Sequence, residues 1–181
     1  MVRACEAGET FTMRNVDHFV DRGVEIPGEL YPKTVTLKDN VRIPDYYSNR
    51  GLAIVSADFR RVLDQFDAGK HQYVPVEIRL ADGAPYAHGP YFFFNCRQIL
   101  NAIDATALER PITPDYLPEE LWPVIATPLD DFAMFKDKMN GAGFWQELGV
   151  GPRKFVSDAF IAAAKEAGLT GCETDGPFPE V

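Results

Sequence analysis

Histidine, cysteine and serine side chains are the groups in this sequence whose chemistry could support catalysis or metal binding. The three histidines, His18, His71 and His88, form neither an HxxxH nor an HxxEH motif, so their spacing does not indicate a metal site. Cys96 ends an apolar run, where a cysteine usually serves as a small buried side chain. No histidine lies near it in sequence to lower its pKa, although a distant one could approach in the fold.

Two serines, Ser56 and Ser157, occur in repeated surroundings and are the other candidate nucleophiles. Neither lies in the Gly-x-Ser-x-Gly turn of serine hydrolases. Adjacent acids occur at two places, but neighbouring carboxylates normally mark a solvated face. No glycine-rich phosphate loop is present. The sequence therefore predicts no catalytic residue, no metal and no cofactor, and a protein that is not an enzyme.

The repeat around these serines predicts two similar helices. In each copy a short apolar run meets the serine, and apolar residues then recur at helical spacing up to a glycine, Gly69 or Gly168. Ser56 and Ser157 are expected to act as N-caps, which accept a hydrogen bond from an unpaired backbone N–H of the first turn. In the second copy, alanines replace the large apolar residues of the first, so this helix needs a closer neighbour to bury it.

The remaining elements predict an α+β fold, with a mixed or mainly antiparallel sheet on which the two capped helices pack. Strands are expected over residues 10–20, 31–37, 73–80 and 91–94, the last two as a hairpin, with an extended segment over 171–173. Four consecutive aromatics at 91–94 indicate a central strand. A short helix is expected over 95–104. We expect a single domain over 1–181, with a β-rich part at 1–50 and an α+β core at 51–181; whether 1–50 forms a separate lobe stays open.

Charge and cysteine content restrict the class of partner. The 181 residues carry 27 acidic and 18 basic side chains, a net charge of −9. Nucleic acids and anionic membranes require a basic surface, so neither is expected as a partner. The three cysteines are far apart and form no disulfide framework, which fits the cytoplasm.

A proline-rich acidic segment, residues 111–131, is the first place where a partner surface would be sought. It contains five prolines and five acids and no lysine or arginine. Acids beside large aromatics in a loop suit a protein interface. The alternative is a surface connection whose apolar residues pack into the core. The candidate contact residues are Asp115, Tyr116, Glu119, Glu120, Trp122, Asp130 and Asp131.

Four stretches of the chain resemble a known bacterial family in the same order. They are 52–56 with Phe59 and Leu63, 74–78, 91–95 followed by Ile103 and Asp104, and 154–158 continuing through 167–171. Together, over residues 52–172, they look like family eleven of the polymorphic-toxin immunity proteins, formerly a domain of unknown function. These motifs are mostly apolar and capping residues, so they indicate a shared fold.

The resemblance implies a cytosolic inhibitor that binds and neutralises a toxin encoded beside it. It supplies no catalytic or contact residues that could be transferred to this chain. A second hypothesis is a small enzyme whose site is assembled from scattered residues such as His71, His88, Cys96 and Asp104. A third is a general interaction module without a toxin partner. The oligomeric state is not indicated by the sequence.

Overall fold

The computed structural model describes residues 3–4, 23–39, 41–49, 52–104, 133–147 and 153–174, and the larger of its two β-sheets has six strands. Its strands lie in the order β1-β2-β5-β6-β4-β3. Only β2 and β5 pair in parallel, and the other pairs are antiparallel. The bounds are β1 (Arg3–Ala4), β2 (Thr34–Thr36), β3 (Tyr46–Asn49), β4 (Leu52–Ser56), β5 (Gln72–Arg79) and β6 (Tyr91–Asn95).

A smaller sheet has the order β7-β8-β9, with β7 and β8 parallel and β8 and β9 antiparallel. Its strands are β7 (Ile99–Leu100), β8 (Phe144–Glu147) and β9 (Phe155–Val156). The helices of the described residues are α1 (Ala57–Asp67), the single turn α2 (Lys136–Met139) and α3 (Asp158–Glu166), and a short 3-10 turn covers Gly28–Leu30. The predicted α+β class with a mixed sheet is confirmed.

The predicted hairpin and its central aromatic strand are confirmed. β5 and β6 pair antiparallel, with Val76 opposite Tyr91. β6 lies between β5 and β4, and Phe93 and Phe94 on opposite faces are 3% and 2% exposed. A strand covered on both faces carries apolar residues at every position instead of alternating them. The four-aromatic run therefore places this strand in the middle of the sheet.

Both capped helices pack over one face of the larger sheet. Phe59 on α1 and Phe160 on α3 meet edge to face, with ring centroids 5.6 Å apart, and both are buried. Ala164, one turn further along α3, is also buried in this cluster. Burying such phenylalanine rings contributes roughly 1.5–3 kcal/mol each. Because its side chains are small, α3 packs closely against α1, as predicted for an alanine-rich helix that needs a close neighbour.

The opposite face of the sheet is covered by residues from the β-rich N-terminal part. Ile26, Tyr31 and Val35 pack against Ile54 and Phe93 in a second cluster of buried side chains. The Tyr31 and Phe93 rings lie 5.3 Å apart. Strands β2 and β3 belong to the same sheet as the core strands, so this part of the N-terminal region is continuous with the core.

Two element predictions were wrong. Residues 95–104 form no helix, because their backbone pairs with β8 instead. Ile99 lies opposite Gln146 in β7–β8, and the Ala102 N–H donates to the Glu147 carboxylate at 2.9 Å. Residues 171–173 form a bend and irregular chain instead of a strand. The strand predicted over 10–20 lies outside the described residues.

Candidate functional site

The two repeated serines act as helix caps. Ser56 Oγ accepts a hydrogen bond from the Phe59 N–H at 3.1 Å, and Ser157 Oγ accepts one from the Phe160 N–H at 3.2 Å. Each bond satisfies one donor that the first turn of a helix leaves without an internal partner. The repeated phrase is therefore a structural feature, as predicted.

Ser56 also belongs to a hydrogen-bonded group that joins β3 to the end of the second copy, which we call the Asp45 clasp (Asp45, Ser56 and Thr170). The Asp45 carboxylate accepts bonds from Ser56 Oγ at 2.7 Å, Thr170 N–H at 2.9 Å and Thr170 Oγ1 at 2.8 Å. Burial raises the pKa of Asp45, but these bonds and the Arg42 charge outweigh it, so the pKa lies below its ordinary value. The clasp holds the two repeated units together.

The four scattered residues of the enzyme hypothesis do not all meet at one site. His71 and Cys96 are buried near Phe94 and Phe144. His88 is exposed and meets the Tyr86 ring edge to face, with centroids 5.0 Å apart. The Asp104 backbone pairs with Ala133 beside the smaller sheet.

Burial chiefly raises the pKa of the Cys96 thiol to about 12, so it is protonated at neutral pH and a poor nucleophile. Within the described ranges, no group of three His, Cys, Asp or Glu side chains is arranged to hold a metal ion.

His71 instead takes part in a buried network around Asp67, the last residue of α1. Its Nε2 lies 3.3 Å from Asp67 Oδ2, and the same oxygen accepts the Gly143 and Phe144 N–H groups at 2.9 and 2.8 Å. Lys70 Nζ and Gln98 Nε2 donate to Oδ1, at 3.2 and 3.3 Å. The sequence analysis missed this network, although the four-residue spacing of Asp67 and His71 was a signal for it.

This network fixes the start of β8 against α1. Burial raises the pKa of Asp67, but the bonds from His71, the Phe144 N–H and Lys70 together lower it below its ordinary value. The carboxylate is therefore charged at neutral pH although its side chain is fully buried. Asp67 has a structural role, because its oxygens accept hydrogen bonds from donors in three parts of the chain.

The candidate functional site is a cleft of about 540 Å³ between α3 and the smaller sheet, which we call the α3 cleft. The tryptophan and phenylalanine side chains beneath it belong to the core and are at most 5% exposed. Trp145 and Phe155 stack with centroids 6.0 Å apart, and Phe144 and Phe160 continue the apolar lining. Clefts of this size and apolar character commonly receive a ligand or a side-chain anchor of a partner.

Basic side chains line the cleft. Lys136, Arg153 and Lys165 are exposed, and Lys154 is half-buried. Two exposed acids, Asp158 and Glu173, also line the cleft. The described lining thus has more basic than acidic groups, in a chain whose total charge is −9. The sequence analysis missed this site, because its bases are spread over thirty residues and meet only in the fold.

The contact residues predicted from the sequence stay a prediction, because all of them lie outside the described residues. They are Asp115, Tyr116, Glu119, Glu120, Trp122, Asp130 and Asp131. None of the helices in the described ranges is long and apolar enough to cross a membrane.

Comparison with protein families defines the class. A family model of immunity proteins matches residues 8–175 of the chain. The match includes the α+β core and its two capped helices, whose described residues form no convergent catalytic group. Since the match spans nearly the whole chain, the protein belongs to the immunity protein family Imm11. The chain matches none of the curated proteins with which it was compared.

Proposed function

We propose that this protein binds a cognate bacterial toxin directly and neutralises it in the cytoplasm. The observation that carries the proposal is the family match over residues 8–175. Inhibition by binding requires a well-specified scaffold and a complementary surface, and it requires no catalytic group. The buried core on both faces of the larger sheet supplies such a scaffold.

The charge of the chain supports a basic toxin as the partner. A net charge of −9 on 181 residues attracts a basic protein over several ångströms and raises the rate of association. Toxins that act on nucleic acids are typically basic, because their substrates are polyanions. We place the contact on the acidic segment 111–131, where five acids occur without a lysine or arginine.

Co-expression tests the function itself. The chain is produced together with the toxin encoded by the adjacent gene, and growth is compared with cells that produce the toxin alone. We expect restored growth and a stable complex of the two purified proteins. Continued killing in the presence of folded protein, together with no detectable complex, would refute the proposal.

Charge reversal tests the contact surface. We expect lysine at the five acids of the segment to lower the association rate by roughly tenfold or more at low salt. A control with the same change in net charge reverses five exposed acids elsewhere. Equal effects of the two variants would place the contact outside the segment. The variant positions are Asp115, Glu119, Glu120, Asp130 and Asp131, and the control positions are Glu29, Asp39, Asp82, Asp137 and Glu166.

A further inference from the structure

A turn at Asn140 and Gly141 lies between α2 and β8 and has a reactivity that the proposed function does not use. We propose that Asn140 is a site of spontaneous deamidation, and that its isoaspartate product weakens the attachment of β8 to α1. The chain has six asparagines, and only Asn140 precedes a glycine. This modification would occur in the protein whether or not it binds a toxin.

The reaction needs only these two residues and water. The Gly141 backbone nitrogen loses its proton to solvent base and attacks Cγ of Asn140, which closes a cyclic imide. The amide nitrogen of the side chain takes up a proton and leaves as ammonia. Water then opens the imide at either carbonyl, and the product is aspartate or isoaspartate. In isoaspartate the main chain continues through the former side chain, so it is longer by one methylene group. No oxidant or reductant takes part.

The turn leaves the reacting atoms accessible. Both residues are exposed, and within the described part of the chain neither the Gly141 N–H nor the Asn140 side-chain amide forms a hydrogen bond. Apart from the adjacent residues, no heavy atom of the described chain lies within 4 Å of the position that a Gly141 Cβ would occupy. Glycine has no side chain to hinder the approach of its nitrogen. Solvent base and water therefore reach both groups.

Ring closure requires a rotation that this turn permits. Asn140 has φ 47° and ψ 39°, the left-handed conformation that asparagine tolerates. This ψ places the Asn140 side chain and the Gly141 nitrogen on opposite sides of the Cα–C bond, so the chain must rotate about that bond before the attack. The rotation breaks the 2.9 Å bond from the Ala142 N–H to the Met139 carbonyl, at the end of a single helical turn. Such short, exposed turns open at low free energy, so we expect the reaction to occur in the folded protein.

Two other asparagines show what the fold withholds elsewhere. Asn101 is also exposed, but the N–H that follows it belongs to the buried Ala102 and donates to the Glu147 carboxylate at 2.9 Å. Asn95 is fully buried in β6. Attack at Asn101 requires that bond to break, and attack at Asn95 requires the sheet to open. Of these three residues, Asn140 is therefore expected to react first.

The product lengthens the backbone close to the Asp67 network. The added methylene group lies three residues before Gly143, whose N–H donates to Asp67 Oδ2 at 2.9 Å. Gly143 has little space in which to move towards α1, because a Cβ added there would lie 2.7 Å from Phe66 Cβ. A longer turn therefore displaces the start of β8 or distorts its bonds to Asp67. We expect the isoaspartate form to unfold at a lower temperature than the unmodified protein.

Peptide mapping of the full-length chain tests the site. The protein is incubated at pH 8, where the attacking nitrogen loses its proton more readily than at neutral pH, and digested samples are analysed by mass spectrometry. We expect the Asn140 peptide to gain the mass of a deamidation roughly tenfold faster than the Asn101 peptide, or more, because the Ala102 N–H must first leave a carboxylate.

The same chain unfolded in guanidinium chloride sets the time scale, because no native hydrogen bond protects either asparagine there. An Asn140 peptide that stays unmodified in the native protein, while it reacts fully in the unfolded chain, would overturn the proposal. Equal rates at Asn140 and Asn101 in the native protein would overturn it as well.

The variant Asn140→Gly tests the effect on β8. Glycine adopts positive φ readily and has no side-chain amide, so this variant keeps the turn and cannot form the imide. We expect incubation to lower the melting temperature of the wild type and to leave that of Asn140→Gly unchanged. Freshly prepared Asn140→Asp gains the charge without the longer backbone, and it is expected to melt close to the unmodified wild type. Equal declines in the wild type and Asn140→Gly, or a fully modified wild type that melts like Asn140→Asp, would overturn the proposed link to β8.

Discussion

Replacement of Asp67 by Asn tests how strongly one buried carboxylate holds the fold together. The side chain is fully buried and its two oxygens have five donors. The Asn oxygen can keep the three donors of Oδ2, including the Gly143 and Phe144 N–H groups. Its NH₂ group then faces Lys70 Nζ and Gln98 Nε2, which both lose their bond to Asp67. Gln98 Nε2 keeps its bond to the Phe144 carbonyl at 3.2 Å, and Lys70, whose side chain is 43% exposed, can be hydrated.

The expected loss of stability follows from those lost bonds. Hydrogen bonds to a charged group contribute about 1.5–3 kcal/mol, and two of them are lost here, the one from the exposed Lys70 being the weaker. We therefore expect Asp67→Asn to lower the free energy of unfolding by about 2–3 kcal/mol. Asp67→Ala also removes the acceptor of the buried Gly143 and Phe144 N–H groups and is expected to cost about 3–5 kcal/mol.

Urea unfolding at pH 7, followed by circular dichroism, measures this difference. The control is Asp64→Asn, one turn earlier on α1, where the carboxylate is 35% exposed and pairs with Arg60 at 3.4 Å. An exposed pair of this kind contributes about 0–1 kcal/mol. If Asp67→Asn changed stability no more than the control does, the network would not be a determinant of stability.

The same carboxylate predicts a pH dependence. The pKa of Asp67 is lower in the folded protein than in the unfolded chain, so its contribution is complete above the unfolded pKa, about 4. That contribution is lost as the pH falls through the folded pKa. Below about pH 4 the wild type is therefore expected to lose stability more steeply than Asp67→Asn does. Parallel curves of unfolding free energy against pH would contradict this explanation.

Three further predictions concern the caps, one glycine and the buried thiol. Ser157→Ala is expected to lower the free energy of unfolding by about 1 kcal/mol, the usual value of an N-cap, in urea unfolding. Ser56→Ala is expected to cost more, about 2 kcal/mol, because it also loses the bond to Asp45. Gly171→Ala is expected to lower the melting temperature more than Gly168→Ala. Both have positive φ, but only at 171 would the added methyl group overlap a backbone carbonyl of β3. Cys96 is expected to react with a thiol reagent at pH 8 only after urea unfolds the chain, because its thiol is buried and has a pKa of about 12.

Each of these three predictions has a result that would contradict it. Equal losses of unfolding free energy from Ser56→Ala and Ser157→Ala would show that the bond between Ser56 and Asp45 adds no stability beyond that of the cap. Equal melting temperatures of the two glycine variants would mean that the chain near β3 moves to accept the methyl group. Labelling of the Cys96 peptide in the native protein, detected by mass spectrometry, would show that the site opens to solvent.

Local patterns in the sequence were sufficient to predict the helices and the hairpin. The Ser56 and Ser157 caps and the aromatic run at 91–94 act within a few residues, so periodicity and capping chemistry reveal them. The apolar pattern at 95–104 fits a helix equally well. Residues 99 and 100 instead pair with β8, whose partner residues 146 and 147 lie 47 positions further along the chain. Periodicity contains no information about such a partner.

The candidate site depends even more on contacts between distant residues. Lys136, Arg153 and Lys165 form no motif, because they meet only when α3 packs beside the smaller sheet. The acidic segment 111–131 is visible in the sequence because its five acids lie in one stretch. Sequence reasoning can therefore predict a surface made of one segment, and that prediction lies outside the described residues. It misses a site that is assembled from several segments.

The Asp45 clasp has a consequence for how the chain is synthesised. Asp45 and Thr170 are separated by 125 residues. During translation, the hydrogen bonds between them can therefore form only after most of the chain has been synthesised. Closing so long a loop is slow, because its entropy is lost before the contact forms. The cap of α1 can form early on the ribosome, but its link to the second repeated unit forms only after residue 170 has emerged. An unfinished chain therefore lacks the bonds that join the two repeated units, and we expect the complete fold to form only after synthesis of nearly the whole chain.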